Sequence, residues 1–266
     1  MKYDSGWIDL KGVTVTTETG VADNTDVVEP KKGRQRKKGG KKRLSYDAYP
    51  TPQPFVVEIM RRIVEILPRR PRVIIEPSAG TGAFVREIAR LWPWTEQEKI
   101  PIIAIDVDPA NAGPLYAAGA HYVCVADWVE WSKGINRANA PAGPWFFVGN
   151  PPFVLAREHI EAAFPIMEPG EWIAFLLRVN FFGAATRRDF WARKRDRLRY
   201  LIPFCERPDF RQDGGSDPTE YAMFIWEKGF TGNAEILPNM SIAADLVRNG
   251  QLAAQAAEEE AARAVR

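Results

Sequence analysis

Val73-Ile74-Ile75-Glu76-Pro77-Ser78-Ala79-Gly80-Thr81-Gly82-Ala83-Phe84 runs from a β-branched triplet through two glycines into an apolar pattern at helical spacing, continued by Ile88 and Leu91. Such a run predicts a buried parallel strand, a tight turn and a helix. Gly80 and Gly82 lack a Cβ, so the turn can adopt positive φ and a ligand can approach its backbone. Open α/β sheets place their ligand crevice at the carboxyl ends of the strands, so a nucleotide-like ligand would sit just beyond Glu76. Two familiar glycine loops do not fit. A dinucleotide fingerprint asks for a third glycine where this chain has Val85, and a phosphate-cradling loop asks for a Gly-Lys-Ser/Thr ending that is absent. Glu76 would repel phosphates and attract an ammonium or a sulfonium. On this stretch alone, a purely structural corner is also an open reading.

Three more apolar runs follow, each ending in a polar residue. Ile102-Ile103-Ala104-Ile105 ends in Asp106 and Val107, about thirty residues after Glu76, where an acid can accept hydrogen bonds from ribose hydroxyls. Tyr122-Val123-Cys124-Val125-Ala126 ends in Asp127-Trp128, an acid for an exocyclic adenine amine beside an aromatic wall. Trp145-Phe146-Phe147-Val148-Gly149 ends in Asn150-Pro151-Pro152-Phe153. An amine conjugated to a heterocycle is a poor nucleophile, because its lone pair is delocalised into the ring. Carbonyls from Asn150 and Pro151 can accept its hydrogens and favour a tetrahedral nitrogen. Pro151 and Pro152 fix φ and remove backbone donors, which makes the turn rigid. Phe153 offers a face for a base to stack on, a contact of about 1–3 kcal/mol. Taken singly, each tip also reads as a structural feature, Asn-Pro-Pro as a loop breaker; the ordered set points to one site.

With these residues in place, the chain resembles the S-adenosylmethionine-dependent N6-adenine DNA methyltransferases of phages and restriction-modification systems, over residues 46–228. The resemblance implies a Rossmann-like class I methyltransferase: an α/β fold with a seven-stranded, mostly parallel sheet, an antiparallel last strand and helices on both faces. Segments 172–179, 198–204 and 220–226 suit its fifth to seventh strands. It implies that Asn150, Pro151, Pro152 and Phe153 are catalytic, and that S-adenosyl-L-methionine is the methyl donor. Its cofactor contacts carry over to Thr51 and Pro52, to Glu76, Pro77, Ser78, Ala79, Gly80 and Gly82, to Asp106 with Val107, to Asp127 with Trp128, and to Asn150. Thr51-Pro52 directly precedes an amphipathic helix with Phe55, Ile59, Ile63 and Ile66 on one face. The expected partner is DNA, duplex or single-stranded, and the expected setting is the cytoplasm of a bacterium or a phage-infected host. One departure stands out. Most sequence-specific members carry a substantial target-recognition domain, whereas only about a hundred residues follow the catalytic motif here. A related tetrapeptide with Tyr last occurs in enzymes that methylate protein glutamine, so protein or RNA as acceptor stays open. So does a non-catalytic nucleic-acid-binding protein.

Charge divides the chain. Residues 31–43 carry nine basic side chains and no acid, so a total of +2 leaves −7 for everything else. Residues 187–199 carry seven basic residues against two acids, and removing them as well leaves −12. Duplex DNA would be repelled by such a body and drawn to these two patches, which makes Lys37, Lys38, Lys41, Lys42, Arg43, Arg187, Arg188 and Arg193 candidate nucleic-acid contacts. A solvated linker and a solvated helix face are the plainer alternatives. Residues 1–44 are polar and without periodicity and are expected to be a disordered basic tail. Residues 45–235 form the expected catalytic domain and 236–266 an Ala/Glu/Arg-rich helical tail. Two cysteines without metal spacing suggest a reducing compartment and no metal, and no apolar run is long enough for a membrane. Nothing in the chain fixes an oligomeric state. His121 and His159 stand in no motif and are expected to be structural. Phe210, before the loop 213–217, is expected to pack at a target-base pocket if that loop opens from the catalytic edge.

Overall fold

The computed structural model describes residues 14–17, 20–21, 50–93, 100–194, 198–210 and 219–241. Its strands in chain order are β1 Thr14–Thr17, β2 Gly20–Val21, β3 Val73–Pro77, β4 Ile102–Asp106, β5 Tyr122–Val125, β6 Trp145–Gly149, β7 Trp172–Arg178, β8 Leu198–Pro203, β9 Tyr221–Glu227 and β10 Glu235–Ile236. The helices are α1 Gln53–Ile66, α2 Ala83–Leu91, α3 Ala112–Ala117, α4 Trp128–Lys133, α5 Ala156–Ala163 and α6 Arg188–Lys194. Pro52 precedes α1, and Leu67-Pro68 ends it, because a residue before proline is driven out of the helical region.

All strands join one sheet in the order β10-β8-β9-β7-β6-β3-β4-β5-β1-β2. The seven strands expected from the sequence are its centre, β8-β9-β7-β6-β3-β4-β5. β3 pairs in parallel with both β4 and β6, and β9 runs antiparallel between β7 and β8. The chain therefore leaves β3 toward β4 and β5, then returns to β3's other side with β6. That reversal is the switch point where an α/β sheet opens its crevice.

Two expectations need correction. Residues 1–44 are not wholly without order: β1 pairs antiparallel with β5, and β2 with β1. An exposed β5 edge offers unpaired backbone groups that any short extended segment can satisfy, whatever its side chains. The catalytic domain also does not stop at residue 235. β10 pairs in parallel with β8, Met240 bridges to Phe204, and Met240 is buried, so the fold runs on to Ser241. The helical tail expected after that lies outside the described residues, as do residues 31–43 and the loop 213–217.

Side-chain alternation along the strands builds two cores. Ile74, Ile102, Ala104, Phe146 and Val148 face one way, against Val56, Ile59, Met60 and Ile63 of α1, Val85 and Ile88 of α2 and Leu115 of α3. Ile75, Ile103, Ile105 and Phe147 face the other way, against Trp128 and Trp131 of α4, Ile160 of α5 and Phe190 of α6. With helices on both faces, the sheet's carboxyl edge is left as the place for chemistry.

Candidate active site

Glu76 and Gly149 end neighbouring parallel strands at the switch point. Gly149 has φ 155, and a Cβ there would lie 3.1 Å from Glu76 Cγ. A side chain at Gly149 would therefore press on the glutamate. Glu76 itself is buried, and its Oε2 has no hydrogen-bond partner among the described residues. Burial pushes its carboxyl well above the usual carboxylate range; the Val85 N–H opposes this and the nearby Asp106 adds to it. A buried carboxyl oxygen with no donor is a costly feature to keep unless a ligand supplies one.

The loop after β3 is held in an uncommon shape. Ser78 has φ 63, Gly80 φ 54 and Gly82 φ 84. For serine this left-handed conformation is unfavourable and needs support from its surroundings. Ser78 Oγ lies 2.8 Å from His159 Nε2, and His159 Nδ1 lies 3.0 Å from Leu155 O. A carbonyl only accepts, so Nδ1 carries the proton and Nε2 accepts from the serine hydroxyl. Burial lowers the His159 pKa, which keeps the ring neutral as this arrangement requires. A Cβ on Gly82 would lie 2.7 Å from Ala118 Cβ, whereas one on Gly80 would meet nothing within 4 Å. Gly82 thus serves packing, and Gly80 borders open space.

Asp106, at the tip of β4, closes this loop. Its Oδ2 accepts from Gly80 N at 2.7 Å, and its Oδ1 accepts from Asp108 N at 2.9 Å and Asn111 Nδ2 at 3.0 Å. Val107 is exposed beside it. Asp127 caps α4, accepting from Glu130 N at 3.0 Å. Trp128 departs from expectation. Only 2% exposed, it stacks on Trp131, packs against Phe147 and donates its Nε1 to His159 O at 3.0 Å. Its large apolar area and its one donor are both satisfied inside, so it does not wall a ligand in this conformation; Val107, at the tip of β4, is exposed. The Trp128, Trp131, Ser132 spacing, one face of a helix, was the signal that it is core.

Asn150 follows Gly149 directly. Its Nδ2 donates to Thr51 Oγ1 at 3.0 Å, joining the Thr-Pro element to the Asn-Pro-Pro-Phe turn across 99 residues of chain. This fixes the amide so that the carbonyl end is its acceptor. Leu155 N donates to Pro152 O at 2.8 Å and closes the turn. The Phe153 ring lies 5.5 Å from Tyr221 and meets Phe210 at 5.9 Å, edge to face. Phe210 thus packs beside the Asn-Pro-Pro-Phe turn. The Arg178 guanidinium, at the end of β7, lies 4.9 Å over the Phe153 ring. Arg178 and Tyr221 lie beside the Asn-Pro-Pro-Phe turn and were missed by sequence reasoning; His159, expected to be structural, is buried and holds the Ser78 loop. Arg178 alone had a signal, as the single charge ending the apolar run of β7.

The basic candidates separate. Arg187 donates to three carbonyls, Phe181 O at 2.8 Å, Asn180 O at 3.0 Å and Gly183 O at 2.6 Å, so it holds a loop and is not a phosphate contact in this conformation. Arg188 is exposed, and Arg193 reaches Glu161 at 3.3 Å. Lys37, Lys38, Lys41, Lys42 and Arg43 lie outside the described residues. No group of His, Cys, Asp or Glu able to hold a metal, and no helix long and apolar enough to cross a membrane, occurs among the described residues.

This strand order, with its glycine turn at the switch point, is the class I methyltransferase fold. Solved structures described as methyltransferases resemble the chain. A protein of Listeria monocytogenes described as a class I S-adenosylmethionine-dependent methyltransferase aligns with TM-score 0.52 and 15% identity, over 76% of this chain and 69% of its own. A Pyrococcus horikoshii protein described as an RNA methyltransferase aligns with TM-score 0.52 and 16% identity, over 72% and 92%. The M protein of the type I restriction enzyme EcoKI aligns with TM-score 0.51 and 15% identity, over 71% of this chain but 48% of its own. No protein-family model matches the chain, and no curated protein matches it in sequence.

Donor-site residues fit the cofactor of that fold in three respects: the orphaned buried oxygen of Glu76 for an ammonium, the open backbone at Gly80, and an acid followed by an exposed apolar side chain at Asp106-Val107.

Proposed function

We propose that this protein methylates the N6 amine of adenine in DNA, with S-adenosyl-L-methionine as donor. The observation that carries the reading is the contact between motifs: the Asn-Pro-Pro-Phe turn leaves β6 against the unsatisfied carboxyl of Glu76. S-adenosylmethionine, when bound, would supply a methyl group on a sulfonium: the N–C bond forms as the S–C bond breaks, S-adenosylhomocysteine leaves as a neutral thioether, and the methylated nitrogen loses one proton to solvent. Glu76 receives a cationic group in the buried corner, Asp106 and Val107 hold the nucleoside part, and Asp127 turns its exposed carboxylate toward the ring amine. Thr51 orients the Asn150 amide. The Asn150 and Pro151 carbonyls then accept the two hydrogens of the target amine and direct its lone pair away from the ring. Phe153 supports the base, and Phe210 and Tyr221 hold Phe153 in place. Catalysis is by positioning, which can supply several kcal/mol without a covalent enzyme intermediate.

An adenine in duplex DNA must leave the stack to reach Asn150, at a cost of a few kcal/mol. The deciding experiment incubates the protein with labelled S-adenosylmethionine and, separately, unmodified DNA, RNA and protein extract, followed by nucleoside and peptide mass spectrometry. N6-methyladenine in DNA is expected, absent with Asn150→Ala. Label confined to RNA or to protein glutamine would overturn the choice of acceptor, and no transfer at all would overturn the enzyme.

A further inference from the structure

Phe182 is a large apolar side chain left 43% exposed on the turn that follows β7, four residues after Arg178. It is firmly backed. Its ring stacks on Trp191 at 4.8 Å and 22° and packs on Phe224 at 4.9 Å; Trp191 stacks in turn on Trp226 at 6.4 Å. The turn beneath it is fixed as well. Arg187 clamps the carbonyls of Asn180, Phe181 and Gly183, on either side of Phe182, and Trp191 Nε1 donates to Phe181 O at 3.2 Å. Ala184 next to it has φ 156, in the region that favours glycine, and so adds strain that the clamp must hold. A ring that served only to fill the core would be turned inward. Here a guanidinium and an indole hold a turn, against the strain at Ala184, so that its aromatic faces out.

We propose that Phe182 is a stacking platform for an unpaired base flanking the target, a reading that rests on nucleic acid being the acceptor. Position and charge select that occupant. β7 lies parallel and adjacent to β6, so the turn projects from the same sheet edge as Asn150, and Arg178 at its root lies over Phe153. From Arg178 to Phe182 the chain spans at most about 14 Å, a few nucleotides of a strand. Residues 187–193 carry three arginines against Asp189; Arg187 is bound to the turn and Arg193 reaches Glu161, while Arg188 is exposed on the helix that backs Phe182, on a body that is otherwise acidic. Aromatic side chains beside positive charge are how single strands are held without sequence readout.

The test uses the full chain and single-stranded oligonucleotides with one adenine, carrying 2-aminopurine at the target or at either neighbour. Phe182→Ala is expected to weaken oligonucleotide binding by about 5- to 100-fold, the loss of one base–aromatic stack. It should also remove the fluorescence quenching of 2-aminopurine at one neighbouring position while sparing the target position. Phe182→Trp should restore both, and S-adenosylhomocysteine affinity should be the same in all three proteins. Equal oligonucleotide affinity for wild type and Phe182→Ala, with methyl transfer intact, overturns the platform alone and leaves the ring to a protein partner. Wild-type protein that takes up S-adenosylhomocysteine but no oligonucleotide overturns the platform together with the DNA reading.

Discussion

Inside a protein, a carboxyl with one oxygen unpartnered is unstable as an anion until a cation arrives, and Glu76 is in that position. Its pKa in the folded chain is raised, so folding favours the protonated form. The sign follows. Below the ordinary carboxylate pKa the group is neutral in both folded and unfolded chains and costs nothing. As pH rises from there through the raised folded value, the unfolded chain gains stability from ionisation first, and the native state loses ground. Glu76→Gln should therefore melt at the same temperature as wild type near pH 4 and at a higher temperature near pH 8, by thermal unfolding of ligand-free protein. The same variant should bind S-adenosylhomocysteine about 10- to 100-fold more weakly in calorimetry, since a hydrogen bond to a charged group contributes about 1.5–3 kcal/mol. A variant that gains stability and keeps its affinity would remove Glu76 from the donor site. Asn150 gives the complementary result. Asn150→Ala should lose at least about 100-fold in methyl transfer, measured with radiolabelled donor, and a smaller factor in S-adenosylhomocysteine affinity, because on the proposed reading its main part is at the acceptor.

The elements matter chiefly through their ends. β3 and β6 touch along Ile75 and Phe147, and their tips bring Glu76 close to Gly149, where a Cβ would lie 3.1 Å from Glu76 Cγ. Gly149→Ala would place a methyl 3.1 Å from Glu76 Cγ on a backbone with φ 155. A loss of about 1–3 kcal/mol of stability is expected in denaturant titration, together with weaker S-adenosylhomocysteine binding as the glutamate is displaced. An unchanged midpoint would mean that the strand tips are looser than their geometry implies. Much of this was legible in the sequence, because buried parallel strands read as short β-branched runs and a glycine turn that needs positive φ cannot be filled otherwise. That is why Val73 to Phe84 and the tips at Asp106, Asp127 and Gly149 emerge from residue type alone. Trp128 did not, because an aromatic next to an acid looks the same whether it faces a ligand or begins a core-facing helix. Ser78 meeting His159 across 81 residues, or Asn150 meeting Thr51 across 99, depends on which strands become neighbours, and no local pattern encodes that. β2 and β10, two residues each, are too short to show alternation and exist because a sheet edge was available.

At the scale of the whole molecule, the sheet sets where chemistry can happen and, on the proposed reading, the charges set how a nucleic acid would reach it. After the Asn-Pro-Pro-Phe turn, β7, β8, β9 and β10 complete the sheet. If the acceptor is DNA, as proposed, contacts to phosphate contribute affinity that is independent of sequence. The nine basic residues at 31–43, on a remainder of −7, are the largest concentration of positive charge in the chain. Each phosphate neutralised on a duplex contributes about −0.9 to the slope of log K against log salt, and about −0.7 on a single strand. Deleting residues 31–43 should therefore lower the affinity for duplex DNA at 50 mM salt by more than tenfold and flatten the slope by several units, with the difference closing as salt rises, because the lost contacts are screened there in wild type too. Methyl transfer at saturating oligonucleotide should change little, since no residue assigned to the donor or acceptor site lies in that segment. Filter binding across a salt series measures the first, and single-turnover transfer the second. A parallel shift with an unchanged slope would show that the segment does not touch phosphate, and would leave Arg188 and Arg193, beside the Phe182 turn, as the charges that hold the strand.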